Sequence, residues 1–380
     1  MSEAIDLDRI RRWRRVRRLL VVRLDNLGDL LMTTPAIAAL RAGLPAAQIT
    51  LLASPGAAQA VPLLPDIDAS IAVEAPWVAA GVKAASQAVP GVVERRLVER
   101  LADGGFDAAV IFTVCTQSAL PAALVCRMAG IELRLAHSRE NPYALLSDWV
   151  RDRDEVGPGL RHEVRRQLDL VASVGMHALD TRLRLRCEPA VRRRMCERVA
   201  QALPGRGGFV VVHPGASAPS RRWPAERFGA AAAQIARARG LGVVFTGGPG
   251  EAPLLQAARA ALGGLPSLVL DDLSLGELAA LIAEARLLLA NNSGPAHIAA
   301  ALGTPLVELY ALTNPQHTPW QANARVLHRE VPCRDCLKSV CPQGHHACLL
   351  GVEVAEAVQA AMELIGTNGA VVARHHEAFA

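Results

Sequence analysis

The chain has 380 residues, of which 51% are hydrophobic, 3% aromatic and 20% charged, and it carries a formal net charge of +5. This length is typical of two domains, and the composition is typical of a soluble α/β protein. No apolar run approaches the roughly 20 residues that a membrane span needs, and the amino terminus lacks the order of a signal peptide. We therefore expect a cytoplasmic protein whose eight cysteines are mostly thiols or metal ligands.

Residues 1–18 account for most of the net positive charge, because seven arginines stand there with only three acidic residues. The rest of the chain is near neutral, which argues against a nucleic-acid partner. Ile10, Trp13 and Val16 recur every three residues and would form an apolar stripe among arginines on a helix. Residues 9–18 therefore indicate contact with an anionic membrane surface, with a solvated basic tail as the alternative.

The chain then begins a strand–turn–helix unit. Residues 19–23 are typical of a buried strand, and a helix is predicted from about Leu30 to Arg41. Asp29 lies in the turn, at the strand end where open α/β sheets bind ligands. It can cap the helix, act in catalysis, or do both. The turn lacks the G-x-G-x-x-G fingerprint, which argues against a nicotinamide or flavin domain.

Strand-like and helical patterns alternate along the rest of the first half. The predicted strands are residues 49–53, 69–73 and 108–112. The predicted helices are residues 92–101, 118–128 and 162–174. Residues 137–160 are rich in charge and turn formers, so we interpret them as a loop. Alternating strands and helices imply a parallel, doubly wound sheet.

The second half repeats this alternation after a connection at residues 181–189. The predicted strands are residues 209–212, 242–246 and 285–290. The predicted helices are residues 190–203, 224–239, 275–285, 298–303 and 352–365. Residues 366–380 are interpreted as a loose tail. The sequence therefore predicts a second doubly wound domain.

Three strand-end loops of the second half, residues 213–223, 246–251 and 291–297, combine glycine with polar groups and can converge on one ligand. Backbone N–H groups and the positive end of a helix dipole meet in the last of these loops, which makes it an anion site or an ordinary capped turn. Its serine and histidine can point at the same anion. Arg221 and Arg222 suit an anion, and an acidic residue at position 251 suits a ribose hydroxyl.

These motifs resemble glycosyltransferase family 9, the ADP-heptose:lipopolysaccharide heptosyltransferases, over about residues 19–365. The resemblance rests on Arg23-x5-Asp29 with Thr34-Pro35-Ala36, on His213-Pro214-Gly215-Ala216 followed by Arg222-Trp223-Pro224, and on Asn292-Ser293-Gly294-Pro295-x-His297 followed by Ala300-x-Gly303-x-Pro305. It implies an α/β GT-B fold of two Rossmann-like, doubly wound parallel-sheet domains that face across a cleft. The implied division is a basic arm (1–18), an acceptor-binding domain (19–180), a linker and connecting helix (181–205), a nucleotide-sugar-binding domain (206–351), and a C-terminal helix and tail (352–380).

The resemblance implies an inverting enzyme that moves heptose from ADP-heptose to a lipopolysaccharide core acceptor, lipid A–Kdo, without a divalent metal or other cofactor. Such an enzyme would work on the cytoplasmic face of the inner membrane. Asp29 matches the general base. The residues that match a donor diphosphate site are Arg221, Arg222, Ser293, Gly294 and His297. Those assigned to the donor nucleoside are His213, Gly215, Glu251 and Asn292.

Asn292 departs from the family pattern, which usually has aspartate there, so the donor preference stays open. One alternative is a GT-B glycosyltransferase with another sugar nucleotide, or with a protein acceptor as in the relatives that glycosylate autotransporters. Another is a non-catalytic scaffold that binds a nucleotide or a metal during envelope assembly.

Four cysteines lie close together near the end of the chain, with His345 and His346 among them. These cluster cysteines are Cys333, Cys336, Cys341 and Cys348. The Cys-x2-Cys spacing is typical of half of a tetrahedral zinc or iron site, so a structural metal is one interpretation. Reduced thiols or oxidised pairs are the alternatives. We interpret the four scattered cysteines as structural.

Overall fold

The computed structural model describes residues 7–78, 89–157 and 159–367. The chain divides into two compact units between Arg184 and Leu185. Each unit contains one six-stranded sheet. The first six residues of the arm and the tail from residue 368 lie outside the described residues.

The first sheet has six parallel strands in the spatial order β3-β2-β1-β4-β5-β6. Their bounds are β1 Arg18–Arg23, β2 Gln48–Ala53, β3 Ala69–Ala72, β4 Ala108–Ile111, β5 Leu133–Ser138 and β6 Asp148–Arg151. The helices of this unit are α1 Leu7–Trp13, α2 Leu27–Gly43, α3 Pro55–Ala58, α4 Val92–Asp103, α5 Leu120–Met128 and α6 Glu163–Ala172. The central strands are short apolar runs because helices cover both faces of the sheet.

The prediction of a loop over residues 137–160 is wrong in part. Strand β5 extends into this stretch, and β6 lies within it and pairs with β5 in parallel. The polar residues there are satisfied by tertiary contacts. The Asp152 carboxylate binds the buried guanidinium of Arg166 over 2.8 Å, and the Trp149 indole donates a hydrogen bond to the Ser138 carbonyl. Polar composition therefore did not mark a loop here.

The second sheet has six parallel strands in the order β12-β11-β10-β7-β8-β9. Their bounds are β7 Phe209–His213, β8 Gly242–Thr246, β9 Ser267–Leu270, β10 Leu287–Asn291, β11 Leu306–Leu309 and β12 Ala324–Leu327. The helices of this unit are α7 Pro189–Ala202, α8 Ala225–Arg239, α9 Ala252–Ala260, α10 Leu275–Glu284, α11 Gly294–Leu302, α12 Ala347–Leu350 and α13 Val354–Thr367. The prediction of two doubly wound parallel sheets is confirmed.

Both sheets reverse their strand order at one point. In the first sheet the reversal lies between β1 and β4, and in the second it lies between β7 and β10. At such a point the loops that follow the two strands run in opposite directions and leave a crevice at the carboxyl edge. The loops that begin after Arg23, Ile111, His213 and Asn291 therefore border the crevices in which ligands are expected.

The described part of the basic arm, residues 7–18, begins with helix α1 and packs on the rest of the first unit. Trp13 and Val16 are buried, and the Ile10 side chain packs against Gly175. The prediction that these three residues present an apolar stripe to a membrane is wrong, because the stripe faces the protein's own core. The arginines between them are exposed. In the described part of the chain, no helix is both long and apolar enough to cross a membrane.

Candidate active site

The first unit places Asp29 in the first turn of α2, directly after β1. Its Oδ2 atom accepts a hydrogen bond from the backbone N–H of Asn26 over 3.2 Å, and Asn26 is the N-cap residue. Asp29 is therefore the third residue of the helix rather than the cap.

Arg23 lies behind Asp29 and holds three carboxylates. Its guanidinium is fully buried and lies 3.1 Å from Asp25, 3.5 Å from Asp29 and 2.9 Å from Glu163. Burial acts to lower the pKa of Arg23, but attraction to the three carboxylates outweighs this and raises it. One permanent cation therefore orients two strand-end aspartates.

Glu163 is the acidic residue that sequence analysis missed. It lies in the first turn of α6, is fully buried and also accepts a hydrogen bond from Gln167 over 2.6 Å. Its signal in the sequence was an acidic residue at the start of a predicted helix. That signal gives no partner, since Arg23 is 140 residues away in the chain.

In the second unit, three of the four residues assigned to the nucleoside, His213, Gly215 and Glu251, meet at the ends of β7 and β8, whereas Asn292 follows β10. The His213 ring shares a hydrogen bond of 3.1 Å with Thr246 and lies 3.9 Å from the Glu251 carboxylate. Burial lowers the pKa of His213 although Glu251 opposes this, so the ring is neutral. The Glu251 carboxylate accepts the backbone N–H of Gly248 over 2.7 Å.

Gly215 makes close packing possible at this point. A Cβ atom at position 215 would collide with the Glu251 carboxylate. His213, Gly215 and Glu251 thus form one compact group at the strand ends, as the strand-end loops predicted. A neutral imidazole beside a carboxylate can form hydrogen bonds with the hydroxyl groups of a ribose.

The loop after β10 is braced from within. The side chain of Asn291 accepts the Trp223 backbone N–H over 2.9 Å and donates to the Pro214 carbonyl over 2.8 Å. Ser293 stands at the N-cap position of α11 without a side-chain capping bond, because its hydroxyl donates to the Asn291 carbonyl over 3.1 Å, and Gly294 begins the helix. His297 is buried one turn later. The structure therefore places the predicted diphosphate turn at a helix N-terminus beside the loop after β7.

The two arginines of the loop after β7 differ in their contacts. The Arg222 guanidinium donates to the Ala216 carbonyl over 2.7 Å, which fixes the loop. Arg221 is partly exposed, and its charge lowers the pKa values of the buried Glu308 and Tyr310 against the effect of burial. Arg221 thus lies on the side of the diphosphate turn.

Asn292 directs its amide into the protein. It donates to the Glu308 carboxyl over 3.1 Å and to the His317 carbonyl over 2.8 Å. Glu308 is fully buried, and burial raises its pKa to about 8 against the effects of Asn292 and Arg221. Sequence analysis missed Glu308, which stands alone as a charged residue in the apolar run of β11.

The four cluster cysteines carry free thiols and are partly exposed. Burial acts to raise the pKa of Cys341, but hydrogen bonds from the backbone N–H groups of residues 343–346 lower it. Burial raises the pKa of Cys348, and the other three cluster thiols are near enough to add to this. Within residues 7–78, 89–157 and 159–367, no three His, Cys, Asp or Glu side chains are positioned to hold a metal ion.

A family model described as glycosyltransferase family 9 (heptosyltransferase) matches residues 94–347. The chain is 28% identical over 335 residues to lipopolysaccharide heptosyltransferase 1 of Pseudomonas aeruginosa, which covers 85% of this chain and 87% of that protein. It is 27% identical over 325 residues to lipopolysaccharide heptosyltransferase 3 of Escherichia coli, covering 81% of this chain and 89% of that protein.

The structure of E. coli ADP-heptose lipopolysaccharide heptosyltransferase II superposes with a TM-score of 0.73 and 23% identity, over 93% of this chain and all of the other. This likeness shows the GT-B fold. The family model and the two sequence relatives show a glycosyltransferase. The chain belongs to glycosyltransferase family 9, the heptosyltransferase family of lipopolysaccharide core biosynthesis.

Proposed function

We propose that the protein transfers heptose from ADP-heptose to a lipopolysaccharide core acceptor built on lipid A–Kdo, with inversion at the anomeric carbon. The first unit binds the acceptor and the second binds the nucleotide sugar. The observation that carries this proposal is the Asp29 carboxylate, held beside the Arg23 guanidinium at the point where the first sheet reverses its strand order.

Asp29 is the proposed general base. Its carboxylate takes the proton of the acceptor hydroxyl while the hydroxyl oxygen attacks the anomeric carbon and the bond to ADP breaks. The buried Arg23 guanidinium and the hydrogen bond from the Asn26 backbone N–H fix the direction of the Asp29 carboxylate. The electron pair of the broken bond leaves with the diphosphate.

The leaving diphosphate is stabilised by fixed donors, with no divalent metal in the proposal. These donors are Arg221, Arg222, the Ser293 hydroxyl, the Gly294 N–H and His297. They stand at the N-terminus of α11 and in the loop beside it, where developing negative charge meets dipoles that are already oriented. His213, Gly215 and Glu251 form the nucleoside side of the same site, and Asn292, whose amide binds Glu308 and the His317 carbonyl, supports the site from within the protein.

Two further parts of the proposal concern surfaces away from the reacting atoms. The four cluster cysteines hold a structural zinc or iron. Metal binding requires their side chains to turn towards one point, since the described arrangement does not itself form a site.

The arm contacts the inner membrane through its exposed arginines in residues 9–18. This contact depends on charge and does not involve insertion of the buried apolar stripe.

The test combines binding and turnover. ADP, UDP and GDP are titrated into the protein by calorimetry, and transfer from ADP-heptose is then assayed for the native protein and for Asp29→Asn. We expect a preference for ADP, a fall in kcat of roughly 10²- to 10⁴-fold in the variant, and unchanged ADP affinity. Unchanged turnover in Asp29→Asn would refute the mechanism.

The other interpretations correspond to other results of this test. A preference for UDP or GDP would leave the GT-B glycosyltransferase interpretation in place and indicate a donor other than ADP-heptose. Transfer to an autotransporter protein, but not to a core oligosaccharide, would replace the acceptor. No binding of any of the three nucleotides would favour the non-catalytic scaffold.

A further inference from the structure

A cavity of about 260 Å³ opens at the carboxyl edge of the first sheet. It lies between the ends of β1 and β4, where the strand order reverses. Ligand pockets commonly measure ~300–1,000 Å³, so this cavity suits one small ring rather than a whole oligosaccharide. Nothing in the proposed donor site or in the role of Asp29 uses it.

The lining of the cavity combines apolar side chains with several polar ones. Trp77 and the buried Phe112 supply aromatic faces. Asp25 and Gln117 supply the polar end, where the Gln117 amide donates to the Asp25 carboxylate over 2.6 Å. Aromatic walls suit the C–H face of a sugar ring. A paired carboxylate and amide, which offer acceptors and a donor together, suit adjacent ring hydroxyls.

The cavity adjoins the candidate base through a shared cation. The Arg23 guanidinium binds Asp25 with its Nε atom over 3.1 Å and faces Asp29 with its Nη2 atom over 3.5 Å. A ring held against Asp25 therefore lies next to the carboxylate that takes the acceptor proton.

The charge of the lining restricts the kind of ring. Among the described residues that line the cavity, the only ionisable side chain is the Asp25 carboxylate, and the Arg23 guanidinium is fully buried behind it. A ligand carboxylate or phosphate in this space would face Asp25, and none of the described lining residues is a cation that could balance it. Like charges brought together in a partly enclosed site are costly.

We propose that this cavity binds the acceptor sugar and that this sugar is an uncharged ring, rather than one that bears a carboxylate or a phosphate. The inference rests on the function proposed above. It narrows the acceptor to a core in which the acidic Kdo sugars already carry a neutral residue. A preceding glycosyltransferase must then have supplied that neutral sugar.

The test measures sugar binding without a donor. Saturation-transfer NMR is recorded on the full chain with the methyl glycosides of mannose, heptose and Kdo, and ADP affinity is measured on the same samples. We expect a neutral glycoside to bind and the Kdo glycoside to bind at least about tenfold more weakly. Stronger binding of the Kdo glycoside, or no binding of either neutral glycoside, would overturn the proposal.

Variants assign the binding to this cavity. Trp77→Ala and Gln117→Ala are each expected to weaken binding of the neutral glycoside at least about tenfold. Trp77→Phe is expected to keep much of the native affinity. Leu124→Ala is the matched control, because this exposed residue lies on α5 two positions after the lining residue Ala122 and does not line the cavity itself. Asp25→Asn is expected to improve binding of the Kdo glycoside relative to the neutral ones. Neutral-sugar binding that survives both alanine substitutions would refute the assignment.

The two proposals fail in different ways. If ADP binds and the neutral glycosides do not, the cavity proposal fails while the glycosyltransferase proposal stands. If the neutral glycosides bind in the cavity and no nucleotide binds, the ligand class of the cavity is supported and the transfer proposal fails.

Discussion

The side-chain amide of Asn292 donates a hydrogen bond of 3.1 Å to the buried carboxyl of Glu308. The resemblance to the family leads us to expect aspartate at position 292, and in this chain a carboxyl group stands instead on the neighbouring strand β11, as Glu308. Burial raises the pKa of Glu308 to about 8, and the acid is therefore neutral at pH 7. The proposed diphosphate turn thus meets an uncharged acid rather than a second anion.

This relationship predicts a pH dependence for nucleotide binding. As the pH rises past about 8, Glu308 ionises near the diphosphate site and ADP affinity should fall. The groups that face Glu308 are Asn292, Arg221 and Tyr310. Glu308→Gln should lose most of this decline, as measured by calorimetry from pH 6 to 9. Parallel pH profiles for the two proteins would exclude Glu308 as the cause.

Glu308 is also expected to make the free energy of unfolding depend on pH in a definite direction. An ordinary glutamic acid loses its proton near pH 4.5, whereas folded Glu308 holds its proton up to about pH 8. The folded state therefore binds more protons in this window, and the free energy of unfolding should fall as the pH rises from about 5 to 8. In Glu308→Gln the fall should be smaller. Urea unfolding at several pH values provides the measurement.

Arg23→Met should destabilise the first unit by about 3–5 kcal/mol, because it leaves the buried Glu163 carboxylate without its cation. The double variant Arg23→Met with Glu163→Gln should recover much of this loss, since no unpaired charge then remains at Glu163. Urea unfolding at pH 7 compares the two. Equal stability of the single and double variants would show that the cost does not come from the unpaired carboxylate.

The central strands and the strand-end loops could be predicted from the sequence, because apolar runs and glycine turns are local patterns. Asp29, His213 and Ser293 were located on this basis. Strand β6 and the acids Glu163 and Glu308 could not be assigned, since their burial depends on partners far away in the chain. Arg23, which stabilises Glu163, is 140 residues away, and Asn292, which binds Glu308, is 16 residues away.

Gly215→Ala should weaken ADP binding about tenfold or more, because the new methyl group displaces the Glu251 carboxylate from the nucleoside group. Gly248→Ala is the matched control. A Cβ atom at position 248 would lie 3.7 Å from the same carboxylate, an ordinary contact, and the backbone N–H that binds Glu251 is kept. Calorimetry with ADP compares the variants. Equal loss in both would mean that Glu251 is not the sensitive group.

If the four cluster cysteines hold a metal, the purified protein should contain about one equivalent of zinc or iron. Cys341 should be a ligand, because the backbone hydrogen bonds that lower its pKa favour the thiolate, the form that binds metal. Cys341→Ser should lose the metal, and Cys196→Ser, outside the cluster, should retain it. Elemental analysis of protein prepared without chelators decides this. Metal-free native protein that also takes up none from added zinc or ferrous iron would contradict the site.

Contact of the arm with a membrane should depend on charge. Arg14, Arg15 and Arg17 are exposed, and each arginine near an anionic surface contributes about 1 kcal/mol. Changing all three to Gln should therefore weaken sedimentation with phosphatidylglycerol vesicles roughly 100-fold at low salt. The matched control changes the exposed Arg95, Arg96 and Arg100 of α4 to Gln, which alters the net charge equally.

High salt distinguishes charge-dependent binding of the arm from insertion of its apolar side chains into the membrane. The Debye length shortens from about 10 Å at 0.1 M to 3 Å at 1 M ionic strength, so binding by exposed arginines should be lost in 1 M salt. Trp13 and Val16 are buried in the first unit and are not available for insertion. Binding that persists in 1 M salt would mean that the arm leaves its packed position and inserts its apolar stripe. Equal losses in the arm variant and the control would assign the contact to net charge rather than to the arm.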